Sequence, residues 1–168
     1  MKKEIVVPYF KNLFSILTSE KGSKIFDKKS VLVSARETGI EKNEIKEIYT
    51  GWNTGAREME TPAAKSDAKS LVYWLCAGLL YDDEIPEQSF LRLAQFAELA
   101  GVPGKTVSEI IRGKDRFISE TSLKKRYTLI VRAAESGSLR NPVKKTGDDA
   151  RSFYIANQVS IEGIDELQ

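Results

Sequence analysis

The stretch LAQFAELAGVPGKTVSEIIRG, residues 93–113, decides how this chain folds. Its apolar residues recur at helical spacing on both sides of a short turn, which indicates two helices packed on one core. Ala97 is small enough to lie where two helices cross, and Gly101 tolerates a left-handed turn between them. The predicted core positions are Phe96, Ala100, Val102, Val107 and Ile110. The predicted outward polar face of the second helix consists of Lys105, Thr106, Ser108, Glu109 and Arg112. This spacing predicts a helix-turn-helix, with a plain helical hairpin as the alternative.

A second copy of the pattern lies 62 residues earlier in the chain. Residues 35–51, ARETGIEKNEIKEIYTG, align with residues 97–113 and match identically at Ala35, Gly39, Glu47, Ile48 and Gly51. The matches fall at the crossing, turn and core positions, which predicts two tandem helix-turn-helix units. In the first unit Ser34 takes the place of the core residue Phe96, and the outer face mixes lysines with glutamates. Chance similarity between two amphipathic helix pairs is the alternative.

The composition excludes several kinds of site. The chain has 168 residues, of which 41% are hydrophobic and 30% are charged, as in ordinary soluble globular proteins. With one cysteine, Cys76, and no histidine, it forms no internal disulfide, no zinc site of Cys and His ligands, and no histidine acid–base pair. The sequence contains no nucleotide-binding loop of the G-x-x-x-x-G-K-[ST] type and no recognisable nucleophile–base set. We therefore expect neither an enzyme nor a bound cofactor.

Charge is distributed unevenly along the chain. Residues 101–146 carry a net charge of +7, whereas residues 81–100 and residues 147–168 each carry −4. This partition favours an anionic partner for the basic block, and a merely solvated basic face is the alternative.

The remaining sequence predicts a mostly α fold, because no segment shows the alternation of a strand. We expect helices over residues 9–18, 71–81, 86–100 and 106–112, a helix pair within 30–51, and a helix from about Ser119 to Glu135. Gly113 is predicted to end its helix in a left-handed conformation, and Gly51 to cap a helix before a turn. The region 71–81 is predicted to be core or a dimer surface, and residues 153–155 a strand or a short helix. We divide the chain into an N-terminal helical region (1–60), a helical domain (61–140) and a linker with an acidic tail (141–168).

Localisation follows from the apolar runs. The longest one, residues 71–81, spans 11 residues, about half of the roughly 20 that a membrane span needs. The apolar stretch near the N-terminus is too short for a signal peptide. We therefore expect a cytoplasmic protein with no membrane partner.

The segment AELAGVPGKTVSEIIRGKDRFISETS resembles the lac-repressor-type headpiece, in which an A-G-V turn precedes a T-V-S recognition helix. It is also similar to the Cro and phage-repressor class, where this helix often ends in a Gly-Lys pair such as Gly113-Lys114. The resemblance covers residues 93–142, because AAESGSLRNP is similar to the end of the lac-type headpiece. The part between Thr121 and Val131 is about one turn longer than in the lac type, and no sugar-binding domain fits in the rest of the chain. The resemblance thus implies a DNA-reading module and does not imply sugar sensing.

The resemblance also implies roles for individual residues. Contacts to base edges would come from Gly104, Lys105, Thr106, Ser108, Glu109 and Arg112, and contacts to phosphates from Lys114, Arg116, Lys124, Lys125 and Arg126. Glu109 replaces what is often an arginine, so it would accept from cytosine N4 and repel nearby phosphates. A solvated basic surface is the alternative for the phosphate set. In the first unit the candidates are Lys42, Asn43 and Lys46, and a structural or protein-binding copy is the alternative.

Together these observations predict a sequence-specific regulator of transcription that inserts residues 104–112 into the major groove of double-stranded DNA. RNA polymerase or another protein, and a second copy of the chain, are further expected partners. Two other functions stay open: a protein-interaction adaptor or inhibitor on the same helices, and a plasmid or phage partition or replication factor.

Overall fold

The computed structural model describes residues 1–18 and 22–139 of the chain. Over these residues it is built from α-helices and short 3-10 turns, with no β-strand, which confirms the mostly α fold. The helices are α1 (Lys3–Ile16), α2 (Lys29–Thr38), α3 (Lys42–Thr54), α4 (Lys65–Leu79), α5 (Glu87–Leu99), α6 (Gly104–Arg112) and α7 (Leu123–Ser136), and the 3-10 turns are Gly22–Asp27 and Lys114–Arg116. The predictions for the linker and acidic tail, including residues 153–155, lie outside the described residues. No described helix is both long and apolar enough to cross a membrane.

Two helices, α1 and α4, form the centre of the fold. Both are buried over most of their length, since their sequences are apolar on nearly every side from Tyr9 to Leu17 and from Leu71 to Leu80. Helix α4 packs against α1, α2, α5, α6 and α7, while α1 packs against α2, α3 and α5. A single hydrophobic core therefore includes residues from both sides of the boundary that the sequence suggested near residue 60.

Helix α1 begins earlier than predicted. The sequence suggested a start at Tyr9, after Pro8, but the helix starts at Lys3 and includes the proline. Pro8 removes one helical hydrogen bond, to the carbonyl of Glu4, and this loss is tolerated because Glu4 is exposed at the helix start, where water can donate instead. The earlier start buries Ile5 in the core.

Helix α3 continues through the glycine that was predicted to end it. Gly51 lies inside the helix, which runs on to Thr54, so the predicted cap at Gly51 is wrong. The physical reason is Trp52, whose indole is buried and donates from Nε1 to Ser15 Oγ of α1 at 2.7 Å. Trp52 also packs on Phe14 and Tyr49, with ring centroids 5.9 and 5.6 Å away. Keeping the indole in this aromatic cluster requires helical backbone on both sides of it.

A close contact in the core lies where α1, α2 and α4 meet. The fully buried Tyr9 hydroxyl is 2.7 Å from Ser34 Oγ, and Ser34 in turn donates to the carbonyl of Ser30 one helical turn earlier. A β-carbon placed on Gly78 would lie 2.1 Å from the Tyr9 hydroxyl oxygen, so only glycine fits there. Burial raises the pKa of Tyr9 well above its ordinary value, and the phenol is neutral at physiological pH.

We expect Gly78→Ala to lower the free energy of unfolding by about 1–3 kcal/mol, because the new methyl group collides with the Tyr9 hydroxyl. Adding Tyr9→Phe to this variant removes the colliding oxygen and should restore part of the loss. Urea unfolding of the two single variants and the double variant measures this coupling.

Gly51→Ala is the matched control, because nothing lies within 4 Å of a β-carbon at this helical position. It should raise the free energy of unfolding by up to about 1 kcal/mol through helix propensity alone. Equal effects of the alanine at positions 51 and 78 would contradict the proposed role of the Tyr9 contact.

Candidate nucleic-acid interface

The turn between α5 and α6 has the geometry that the sequence predicts. Gly101 has φ of 83°, in the left-handed region, and its N–H donates to the carbonyl of Glu98 at 3.1 Å. The next N–H, of Val102, donates to the carbonyl of Ala97 at 2.7 Å. Ala97 is fully buried at the crossing of the two helices. These contacts fix α6 against α5, and the assignment of the pair as a helix-turn-helix stays a prediction.

Helix α6 presents one face to the core and the other to solvent. Val107 and Ile110 are fully buried, and the helix packs against both α5 and α4. On the outer face Lys105 is exposed, whereas Thr106, Glu109 and Arg112 are half-buried. The Lys105 side chain forms no hydrogen bond or ion pair within the described residues. Its ammonium group is therefore available to an external acceptor.

Ser108 does not lie on this outer face. Its side chain has no exposed surface, and its hydroxyl has no hydrogen-bond partner among the described residues. The prediction that Ser108 contacts DNA is therefore wrong for this conformation. The buried face of α6 is wider than the apolar pattern suggested, because it takes in Gly104 and Ser108 as well as the aliphatic residues.

A carboxylate already lies at the N-terminus of α6. The helix begins at Gly104, two residues earlier than predicted, and the Gly104 N–H donates to Glu98 Oε1 at 2.6 Å. Gly104 is itself buried and its N–H is already bonded to Glu98, so it does not present this donor to a base edge. A carboxylate at a helix N-terminus takes the position that a phosphate would otherwise favour.

Arg126 is a structural residue, contrary to its predicted contact with phosphate. Only 5% of its surface is exposed, and its guanidinium lies 3.7 Å from the ring centroid of Tyr81. It also donates to the carbonyl oxygens of Glu120 and Ile118. Burial is the main cause of the lowered pKa of Arg126. The side chain fastens the segment before α7 to the end of α4, because a planar guanidinium can stack on a ring and donate in its own plane.

Lys114 is also engaged within the fold. Its ammonium donates to the carbonyl of Asp82 at 2.8 Å and more weakly to that of Asp83 at 3.4 Å. The buried Asp82 carboxylate accepts from the N–H and hydroxyl of Ser30 at 2.9 and 2.7 Å. Burial raises the pKa of Asp82, and the two bonds from Ser30 oppose that rise. The neighbouring Gly113 has φ of −85°, so the predicted left-handed cap is wrong.

The other predicted phosphate contacts remain at the surface. Lys124 and Lys125 are exposed in the first turn of α7. Arg116 is also exposed, but one of its nitrogens donates to the carbonyl of Ser138 at 2.7 Å. This set thus consists of two exposed lysines, one exposed arginine that also bonds within the fold, and the less accessible residues Lys114 and Arg126.

The structure adds one cation that sequence analysis missed. Lys69 of α4 is exposed, and its Cε would lie 3.6 Å from a β-carbon at Gly101, directly beside the α5–α6 turn. No spacing rule connects these residues, because 31 positions separate them in the chain. Only the packing of α4 against α5 and α6 places Lys69 at this end of α6.

The first predicted unit shares the turn of the second but not its packing. Gly39 has φ of 72°, as the alignment with Gly101 suggests. However, α2 and α3 contact each other far less than α5 and α6 do, because α3 packs mainly on α1. Lys42, Asn43 and Lys46 are exposed on α3, among the equally exposed Glu41, Glu44 and Glu47. The tandem repeat therefore stays a prediction, and this surface is not predominantly basic.

Metal and thiol chemistry find no support within the described part of the chain. No group of three or more His, Cys, Asp or Glu side chains there could hold a metal ion. Cys76 is fully buried, and burial raises the pKa of its thiol to about 12, which leaves it protonated and unreactive at neutral pH.

Comparisons with known proteins do not identify the function of this site. None of the protein-family models matches the chain, and neither the curated proteins nor the solved structures yield a significant match.

Proposed function

We propose that this protein binds double-stranded DNA by placing the outer face of α6 in the major groove. The observation that carries the proposal is Lys105, an exposed cation without an intrachain partner among the described residues, at the start of a helix whose other face is locked into the core. The major groove is wide enough to admit a helix, and lysine can donate to the O6 and N7 acceptors of guanine there.

Surface cations around α6 support the same proposal. Lys69 lies beside the turn before α6, and Arg116 follows the helix. Lysines and arginines that contact phosphates fix the orientation of a protein on DNA without reading its sequence. The full interface would therefore combine a base-reading helix with cations from several other elements.

The proposal also includes sequence selectivity and a role in transcription. They rest on the mixed chemistry of the outer face, where Thr106 and Glu109 accompany Lys105. A purely basic face would favour phosphates of any sequence, whereas a carboxylate near the duplex penalises phosphate contact and can accept from cytosine N4. Selection of bound duplexes from a random library at physiological salt tests selectivity, and the absence of an enriched motif would contradict it.

We expect Lys105→Ala to weaken binding to the selected duplex by about 1–3 kcal/mol, with a smaller loss for an unrelated duplex. Fluorescence anisotropy with both duplexes at one salt concentration measures the two losses. Equal losses of binding free energy for the two duplexes would indicate that Lys105 contacts a phosphate and not a base. No loss for either duplex would refute insertion of α6.

Ser108→Ala is the matched control on the same helix. Because the hydroxyl is buried without a partner, its removal should leave DNA affinity unchanged and keep or slightly raise the free energy of unfolding. A specific loss of DNA binding by a stable Ser108→Ala protein would mean that α6 rearranges on DNA.

Glu98→Gln should strengthen binding to unrelated duplexes at low salt. The amide keeps an acceptor for the Gly104 N–H but removes a negative charge from the end of α6. The gain should disappear at high salt, where the charges are screened. Anisotropy titrations over a range of salt concentrations measure this, with Glu135→Gln on the exposed surface of α7 as the control. Equal gains from both variants would show that the effect comes from net charge alone.

A further inference from the structure

A groove of about 360 Å³ lies between the end of α1, the segment after α3, and α5. Its apolar lining comes from Met59, Phe96 and Leu99, and its charged lining from Arg57 and Arg92. Leu99 is 81% exposed, which makes it the most exposed large hydrophobic side chain among the described residues. The groove thus places one exposed apolar side chain beside two arginines.

The Arg57 guanidinium is held in a fixed position at this groove. It donates to the backbone and side chain of Asn53 and lies 5.4 Å from the ring centroid of Trp52. The Arg57 carbonyl accepts from Ser15 Oγ at 3.3 Å. Arg57 has φ of 57°, a left-handed conformation that is uncommon for a residue with a side chain, so its neighbours determine where it lies.

Arg92 supplies the second cation of the groove. Its guanidinium donates to the carbonyl of Ile16 at 3.3 Å and to Gln88 Oε1 at 3.2 Å. Neither Arg57 nor Arg92 forms an ion pair with a carboxylate of the described residues. Two arginines without a carboxylate partner among the described residues, beside an exposed leucine, match a ligand that carries carboxylates next to apolar side chains.

The chain itself contains a segment of this chemistry. Residues 148–168 hold five acidic residues and one arginine, for a net charge of −4. Their apolar residues include Phe153, Tyr154, Ile155, Val159, Ile161, Ile164 and Leu167. Eight residues, 140–147, separate this segment from Leu139, the last described residue, and eight extended residues reach up to roughly 28 Å.

We propose that the groove lined by Arg57, Arg92 and Leu99 binds the chain's own acidic segment, residues 148–168. Charge complementarity and the apolar residues of the segment supply the recognition. The covalent connection raises the effective concentration of the segment at the groove, so individually weak contacts suffice. This proposal does not depend on DNA binding.

Paramagnetic relaxation measurements on the full chain test the proposal. A nitroxide label is attached to a cysteine introduced by Ser160→Cys, and the buried Cys76 stays unlabelled because its thiol is inaccessible and protonated. We expect the label to broaden the methyl signals of Leu99 and Met59, with recovery after reduction of the nitroxide. The methyl signals of Leu32, an exposed leucine on α2, serve as the reference and should lose no intensity.

Two pairs of variants show whether the arginines are responsible. Arg57→Ala with Arg92→Ala should abolish the broadening, whereas Arg57→Lys with Arg92→Lys keeps both charges and should retain most of it. Arg36→Ala, which removes an exposed arginine from α2, should have no effect. Unchanged signals of the core residues Leu13 and Leu75 show that each variant is folded.

Three results would overturn the proposal. The first is no broadening at Leu99 and Met59 in the folded, labelled protein. The second is broadening of Thr106 on α6 in place of Leu99, which would locate the segment at the candidate nucleic-acid interface. The third is broadening that occurs only between molecules, so that unlabelled molecules show it when they are mixed with labelled ones. This result would mean that a second copy of the chain supplies the segment.

Discussion

The packing of the Tyr9 phenol against the bare backbone of Gly78 sets the distance between the two central helices. The hydroxyl is fully buried and finds its partner in Ser34, so one side chain joins α1, α2 and α4. Burying a hydroxyl without a partner is costly, and here the cost is avoided by a serine where the aligned position of the second helix pair has Phe96. Ser34, which made the first predicted unit look weak in sequence, thus supplies the hydrogen-bond partner of the Tyr9 hydroxyl, while Gly78 allows α1 to approach α4.

The candidate interface depends on that centre. Helix α4 is the common support of α5, α6 and α7, and its own position follows from its contact with α1. It also carries Lys69 to the turn beside α6, and the turn that follows it contains Tyr81, on which Arg126 stacks. The surface proposed to meet DNA is therefore assembled from elements that are distant in sequence, although the helix that would read bases is local.

The sequence predicted the local part of this architecture well. The mostly α fold, the left-handed turn at Gly101 and the buried run 71–81 follow from periodicity and from the conformational freedom of glycine. Gly51 and Gly113 show the limit of such reasoning, because glycine permits a left-handed cap without requiring one. At Gly51 the burial of Trp52 decides that the helix continues.

The burial and the contacts of individual polar side chains were much harder to predict. Ser108 and Lys105 both occupy polar positions of α6, yet one is buried and the other exposed. Periodicity alone does not give the width of the buried face, which depends on how α4 and α5 flank the helix. Arg126 and Lys114 likewise look like surface cations in sequence, and only long-range contacts with Tyr81 and with the carbonyl of Asp82 engage them.

Asp82 connects the two halves of the chain through hydrogen bonds. Its carboxylate holds the beginning of α2 through Ser30, while its carbonyl receives the ammonium of Lys114 just after α6. Displacement of Asp82 would therefore disturb both the hydrogen bonds at the first turn of α2 and the one that engages the segment after α6.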